Sequence, residues 1–136
     1  MTTAAAPSAQ LGITQIRQIA INVHDVERAV AFYRDVLELK LLFSAGNMGF
    51  FDCGGVRLML SLPSAPEFDH PSSILYFKVG DIQSAYARLV ERKVKTEDQP
   101  HVIARMPDHD LWLTAFRDSE GNLLELMSEV PHSKQE

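Results

Sequence analysis

The 136-residue sequence contains little cysteine and little positive charge, and each shortage excludes a class of protein. Cys53 is the only cysteine, so no disulfide can form within the chain, as is usual in a reducing cytoplasm. Thirteen basic residues against eighteen acidic ones give a net charge of −5 with no basic cluster, which argues against nucleic-acid binding. No apolar run approaches the length of a transmembrane helix. We therefore expect a cytoplasmic protein that binds neither nucleic acid nor membrane.

The sequence does contain a repeated pattern: the same order of strands and one helix occurs twice. Residues 15–23 alternate between apolar and polar side chains, as in a half-buried strand, and Asp25 then caps a segment with helical apolar spacing that extends to about Leu37. Residues 73–79 and Asp81 begin the same order again. Three strands follow each helix in our prediction: 39–44, 48–52 and 56–62 in the first half, and 101–106, 109–116 and 123–127 in the second.

The two halves also correspond residue by residue. The run Val23-His24-Asp25-Val26 aligns with Val79-Gly80-Asp81-Ile82 at one constant spacing, and Asp52, Gly55 and Leu60 align with Asp118, Gly121 and Leu126 at another. A repeat of this length is a supersecondary unit whose apolar face is buried by its twin. We predict an α+β fold with one domain at 15–130. It consists of two βαβββ modules at 15–62 and 73–128, a linker at 63–72, and disordered tails at 1–14 and 131–136.

The segment 115–127 contains the most informative side chain. It has the pattern of a strand end, a tight turn at Gly121-Asn122 and a second strand. After the turn, Leu124 and Leu126 point to one face of the sheet, while Glu125 points to the other between apolar neighbours. A carboxylate in such surroundings costs free energy unless a cation, a metal or strong donors meet it. Glu125 is therefore the first candidate for a functional site.

Two motifs carry a resemblance to a known family. Asn22-Val23-His24-Asp25 leads into Ala31-Phe32-Tyr33-Arg34-Asp35-Val36-Leu37, and Phe116-Arg117-Asp118-Ser119-Glu120-Gly121-Asn122-Leu123-Leu124-Glu125-Leu126 closes the second module. With its paired βαβββ modules, the chain resembles the vicinal oxygen chelate superfamily from residue 16 to 129. That superfamily includes glyoxalase I, bleomycin-resistance proteins, methylmalonyl-CoA epimerase and extradiol dioxygenases. The resemblance implies a curved mixed sheet that forms a cup, with the helices outside, and a homodimer.

The resemblance also implies where a divalent metal would bind. Metal-binding members use one residue from the first and last strand of each module, and the repeat places these positions at Gln18, Met59, Ile74 and Glu125. Only Gln18 and Glu125 offer donors suited to a hard or borderline ion, since isoleucine offers none and a thioether is soft. The standard site is thus incomplete. A divalent metal cofactor is possible but not favoured.

Gln18 and Glu125 are expected to face each other across the floor of the cup. In a functional interpretation, Glu125 is a general base or a metal ligand and Gln18 is its partner. In the structural alternative, the amide and the carboxylate share a hydrogen bond and Arg57 or Lys78 is the counter-ion. The sequence leaves both open.

Two histidines flank a predicted turn at 105–108. We expect His101, Ile103 and Arg105 to share one face of their strand, so that His101 and His109 line the mouth of the cup. There they would act as general acid or base, or as replacement metal ligands. The preferred alternative is a pair of ordinary histidines at loop ends, since a third ligand is not evident.

The remaining candidates would contact a ligand directly. Arg57, Lys78 and Arg105 could bind an anionic group, or they could be solvated charges at the rim. An apolar wall is predicted from aromatic and thioether side chains, with core packing as the alternative. The wall and floor candidates are Phe50, Met59, Tyr76, Trp112 and Met127, and Asn22 completes the set of ligand-binding candidates.

Three functional hypotheses follow, in order of preference. The first is a small-molecule-binding protein of the bleomycin-resistance type that sequesters or carries its ligand without a metal. The second is a lyase, isomerase or dioxygenase with an altered metal site built from Glu125, Gln18 and His101 or His109. The third is metal-free acid/base catalysis by Glu125 with a histidine.

Overall fold

The structure is a computed structural model and describes residues 10–132. In the first module, a strand and a helix precede three strands: β1 (Gln18–Asn22), α1 (Val26–Ala31) with a π-helical continuation (Phe32–Val36), β2 (Lys40–Ala45), β3 (Met48–Cys53) and β4 (Val56–Ser61). A 3₁₀ turn (Pro66–Phe68) lies in the linker. The second module contains β5 (Leu75–Lys78), α2 (Ile82–Glu91), β6 (His101–Arg105), β7 (His109–Arg117) and β8 (Leu123–Pro131).

Each module forms its own four-stranded mixed sheet. The strand order is β1-β4-β3-β2 in the first sheet and β5-β8-β7-β6 in the second. The first and last strands of each module pair in parallel, and the other neighbours are antiparallel. The predicted α+β fold of two βαβββ modules is confirmed.

Both helices begin where the sequence places them. The Asp25 carboxylate accepts from the Arg28 backbone N–H at 3.0 Å, and the Asp81 carboxylate accepts from that of Ser84 at 3.1 Å. These bonds satisfy backbone donors that a helix start leaves unpaired, so the predicted N-caps are confirmed.

None of the helices within residues 10–132 has the length and apolar composition needed to cross a membrane.

One face of each sheet packs against the helices, and the two packed faces belong to a single hydrophobic core. Ile21, Leu58 and Leu60 supply the first sheet's part of this core, and Phe116 and Leu124 supply that of the second; all are at most 2% exposed. The other face of each sheet carries the alternate residues and is open. We call these faces the first open face (Gln18, Ala20, Asn22, Phe50, Arg57, Met59 and Ser61) and the second open face (Tyr76, Lys78, His101, Leu113, Glu125 and Met127).

The turn between β7 and β8, residues 118–122, joins the second module to the first helix. The Glu120 carboxylate, with its side chain 1% exposed, accepts from the backbone N–H groups of His24 and Asp25 at 2.9 and 3.0 Å. It also accepts from the Arg28 guanidinium at 2.7 and 3.1 Å. Beside it, the buried Tyr33 hydroxyl donates to the Asp118 carboxylate at 2.7 Å.

Several hydrogen-bond donors act on Glu120 at once, and one of them, the Arg28 guanidinium, is charged. Burial is the largest single influence and raises the pKa of Glu120. The hydrogen bonds from Arg28, His24, Ser119 and Asp25 together outweigh burial and hold the pKa at about 2. The ionised carboxylate is therefore a strong link between the modules.

β-bulges interrupt the outer strands β6 and β2, and the bulge in β6 changes the face on which Arg105 lies. The register of β6 on β7 shifts between Val102 and Ala104, so Ile103 is the extra residue. Arg105 consequently lies opposite Asp110, on the face away from His101, and its guanidinium pairs with that carboxylate at 2.7 Å. The prediction that His101, Ile103 and Arg105 share one face is wrong, because a bulge reverses the alternation. An equivalent shift occurs in β2 between Leu41 and Phe43.

The element ends differ slightly from prediction. β1 begins at Gln18, later than the predicted residue 15, and β8 extends to Pro131, which was assigned to a tail. β8 is longer because β7 pairs with it as far as His109, which lies opposite Pro131. The tail predictions for residues 1–9 and 133–136 lie outside the described residues.

Candidate functional site

On the first open face, the polar side chains satisfy one another. The Gln18 amide oxygen accepts from the Arg57 Nε–H at 2.6 Å, and the Gln18 amide N–H lies 3.8 Å from the Met59 sulfur. The Arg57 guanidinium also lies 5.7 Å from the centre of the Phe50 ring, which stacks on Phe43 at 4.7 Å. Arg57 is therefore held by contacts within its own sheet.

On the second open face, a carboxyl group has no such partner within residues 10–132. Glu125 lies between Tyr76 on β5 and Ala115 on β7. Burial raises the pKa of Glu125, the nearby Asp98 carboxylate raises it further, and His101 partly opposes them. Glu125 thus holds a proton more readily than a free glutamate, which suits a proton donor or acceptor.

Asp98 is a site residue that the sequence analysis missed. Its carboxylate accepts from the Ala115 backbone N–H at 2.8 Å and from the Thr114 hydroxyl at 3.0 Å, so it is fixed at the edge of β7. Asp98 lies outside every named strand, between α2 and β6. Periodicity carries no signal for such a residue, because its position depends on a contact with β7.

The predicted pairing of Gln18 with Glu125 is not observed. Both side-chain partners of Gln18 belong to the first sheet, and no hydrogen bond within residues 10–132 joins it to Glu125. The two predicted counter-ions are also engaged elsewhere, since Arg57 binds Gln18 and the Lys78 ammonium lies 3.5 Å from Glu129. Within one chain, each of the two residues stays within its own sheet, so the structural alternative for this pair stays a prediction.

The four positions implied for a metal do not fit a hard divalent ion. Ile74 has no donor atom, the Met59 sulfur is soft, and the Gln18 amide oxygen is bonded to Arg57. Across residues 10–132, no three His, Cys, Asp or Glu side chains come close enough together to hold a metal ion. His101 is bonded through Nδ1 to the Gln99 carbonyl at 2.7 Å. His109 is bonded to Asp108, also at 2.7 Å. The two histidines therefore do not complete the set.

The remaining predicted ligand contacts separate into two groups. Trp112 lies opposite Val102 and packs against the hydrophobic core, so it is on the face away from Glu125. The prediction that it shares a wall with Tyr76 is wrong, because the strand alternation directs it to the helix side. Tyr76 is 51% exposed on the second open face, with Met127 beside Lys78. Phe50 and Met59 are neighbours on the first open face.

Two cavities of about 540 Å³ each adjoin Asn22. One lies over the first open face and is closed on one side by the linker residue Phe68. The other lies at the junction of the modules, where His24 Nε2 and Asp69 Oδ1 are 2.9 Å apart and Arg117 and Glu120 also line the wall. Both volumes fall in the range of small-molecule sites, roughly 300–1,000 Å³. The linker was predicted only as a connection, since it has no periodic pattern.

Comparison with known proteins gives a consistent result. The sequence model of the Glyoxalase/Bleomycin resistance protein/Dioxygenase superfamily matches residues 15–126. The uncharacterized protein YraH of Bacillus subtilis (strain 168) is 30% identical over 129 residues, with 82% of this chain and 96% of that protein covered.

Solved structures show the same similarity. A member of the Glyoxalase/bleomycin resistance protein/dioxygenase superfamily from Sphaerobacter thermophilus DSM 20745 superposes with a TM-score of 0.72 at 27% identity, covering 88% of this chain and 100% of that one. TnmS3, an antibiotic binding protein from Streptomyces sp. CB03234, superposes with a TM-score of 0.70 at 22% identity, covering 88% and 99%. The second similarity concerns the fold alone.

Proposed function

We propose, from the premise that this chain belongs to the Glyoxalase/Bleomycin resistance protein/Dioxygenase superfamily, that it binds a small organic molecule without a metal ion. The observation that carries this proposal is the ligand-sized cavity over the first open face, with Met59 in its lining. Met59 occupies a position where metal-binding members have a ligand, and here it offers an apolar contact. The fold that the chain shares with an antibiotic binding protein supports the same function.

We further propose that the protein is a cytoplasmic homodimer. In one chain, Gln18 lies on the first sheet and is bonded there to Arg57, whereas Glu125 lies on the second sheet. Each open face is therefore only half of a cup. Light scattering coupled to size-exclusion chromatography tests this, with twice the chain mass expected.

The binding function is tested by metal analysis together with a ligand screen. We expect no stoichiometric nickel, zinc, iron(II) or manganese in the purified protein or after incubation with each ion, because the donor set does not fit them. We expect hits from a diverse library of small organic molecules by thermal shift, since a ligand that binds only the folded state stabilises it. Stoichiometric metal that disappears in Glu125→Gln would overturn metal-free binding and favour a lyase, isomerase or dioxygenase.

A second candidate function is acid/base catalysis by Glu125 with His101. The observation that favours it is the raised pKa of Glu125, caused first by burial and then by Asp98. If a ligand is found to be turned over, Glu125→Gln should abolish turnover while ligand affinity changes little. Unchanged turnover in Glu125→Gln would remove this candidate and leave binding alone.

A further inference from the structure

We propose that the cavity over the first open face takes an uncharged, largely apolar organic molecule, and that Phe68 of the linker determines its specificity. This inference rests on the proposed function and names the chemical class of its ligand. It is carried by the composition of the cavity wall and by the bonds that hold the linker in place.

Among the residues that the structure describes, no ionisable side chain lines this cavity. Its wall combines apolar groups, chiefly Met48, Met59, Leu62 and Phe68, with neutral amides and hydroxyls such as those of Asn47 and Ser61. An ionised ligand would lose hydration on entry and find no counter-ion, at a cost that a neutral ligand avoids. The nearest cation on the same face, Arg57, is bonded to Gln18 and lies over Phe50. The second cavity differs, since His24, Asp69, Arg117 and Glu120 line it.

The linker is fixed in place as a wall of the cavity. The Asn22 side-chain amide donates to the Phe68 and His70 carbonyls at 2.7 and 3.0 Å. The Asn22 backbone N–H donates to the Ser72 hydroxyl at 3.0 Å. The Phe68 N–H donates to the Ala65 carbonyl at 2.9 Å and closes the 3₁₀ turn. A wall ordered before binding spares the ligand the entropic cost of ordering it.

Phe68 has free surface to offer a ligand. It is 49% exposed although it lines the cavity, so about half of its surface is left uncovered by residues 10–132. An aromatic ring favours stacking on a flat apolar molecule, and the flexible thioethers of Met48 and Met59 can adjust to its outline. Phe68 is therefore the residue we assign to ligand selection.

The test compares three naphthalene probes of nearly equal size by isothermal titration calorimetry. They are 2-naphthamide, which is neutral, 2-naphthoate, an anion, and 2-naphthylmethylammonium, a cation. We expect 2-naphthamide to bind at least tenfold more tightly than either charged probe. Phe68→Ala should weaken its binding by about tenfold through loss of stacking. Val90→Ala, at a residue 51% exposed on α2, is the matched control and should leave binding unchanged.

A second variant should narrow the preference for the neutral probe over the cation. Asn47→Asp introduces a carboxylate of nearly the same shape into the wall, and we expect it to tighten binding of 2-naphthylmethylammonium at least fivefold while 2-naphthamide is little affected. Thermal unfolding of each variant checks that it folds.

The outcomes separate this inference from the proposed function. Equal binding of the three probes, or full affinity in Phe68→Ala, would overturn the inference and leave small-molecule binding in place at another face. Ligands from the diverse library that bind but are all charged would do the same. If neither the probes nor any library compound binds, the proposed function and the inference both fail.

Discussion

The two modules have the same order of strands, yet their open faces differ in how polar groups are satisfied. On the first, Gln18 contacts both Arg57 and Met59, and no ionisable group within residues 10–132 lines the adjacent cavity. On the second, Glu125 is half-buried beside Asp98, with its pKa raised. The duplicated fold thus carries one open face whose polar groups are satisfied within their own sheet and another on which burial and a neighbouring carboxylate raise the pKa of a glutamate.

The modules also differ at their junction. Glu120 in the β7–β8 turn corresponds to Gly54 in the β3–β4 turn, and Tyr33 corresponds to Leu89. Only the β7–β8 turn therefore carries a carboxylate that can bind the helix of the other module. The difference shows that a repeat can keep its backbone while one copy acquires the contacts that join the two modules. Four predictions test these differences between the modules.

The largest expected effect comes from removing the junction carboxylate. Glu120→Ala deletes a buried charge that binds Arg28 and two backbone N–H groups, so we expect a loss of about 3–5 kcal/mol in the free energy of unfolding. Urea denaturation measures this loss. Asp52→Ala, near the end of β3 before the equivalent turn of the first module, is the control and should cost less than about 1 kcal/mol. Equal costs in the two variants would contradict the asymmetry.

The pH dependence of stability tests the same carboxylate without deleting its side chain, so no cavity is created in the protein. The folded state lowers the pKa of Glu120 from 4.5 to about 2, so its contribution is present above pH 4.5 and is lost as the pH falls towards 2. The shift corresponds to roughly 3 kcal/mol. Denaturation at several pH values should show this slope in the native protein and a flatter profile in Glu120→Gln. A slope that persists in the variant would assign the acid sensitivity to other groups.

A smaller effect is expected from the tyrosine in the π-helical segment. Tyr33→Phe removes the hydrogen bond to Asp118 while keeping the ring that packs on Phe51, and we expect a loss of about 1–2 kcal/mol. Tyr86→Phe is the matched control, because no side-chain hydrogen bond of Tyr86 occurs within the described residues. If both variants have native stability, the Tyr33 hydroxyl contributes nothing to the junction.

The smallest effect concerns the second open face. Asp98→Asn removes a negative charge that raises the pKa of Glu125, so that pKa should fall, while burial keeps it above the ordinary value. Carbon-13 NMR titration of the Glu125 carboxyl measures the change. Asp108→Asn, on an exposed turn residue paired with His109, is the control. An unchanged Glu125 pKa in Asp98→Asn would show that burial alone sets it.

The sequence by itself determined the repeat and the direction of most strand residues. Alternation and helical spacing indicate which face of an element is buried, and the capping carboxylates of Asp25 and Asp81 indicate where a helix begins. Both patterns involve residues that are close in sequence, so they can be recognised without the structure. The same alternation correctly directed Glu125 away from Leu124 and Leu126. The incomplete metal-donor set was also evident, since it depends only on which residue types occupy four aligned positions.

Only the tertiary structure decided how those faces are used. The bulge at Ile103 moved Arg105 to the other side of its sheet, and a bulge depends on pairing with β7, which no local pattern encodes. Asp98 and Phe68 gained their positions from residues distant in sequence, through Ala115 and Asn22. Hydrogen-bond partners and cavity walls arise from such long-range contacts. The sequence therefore revealed the two modules, and the structure revealed where they differ.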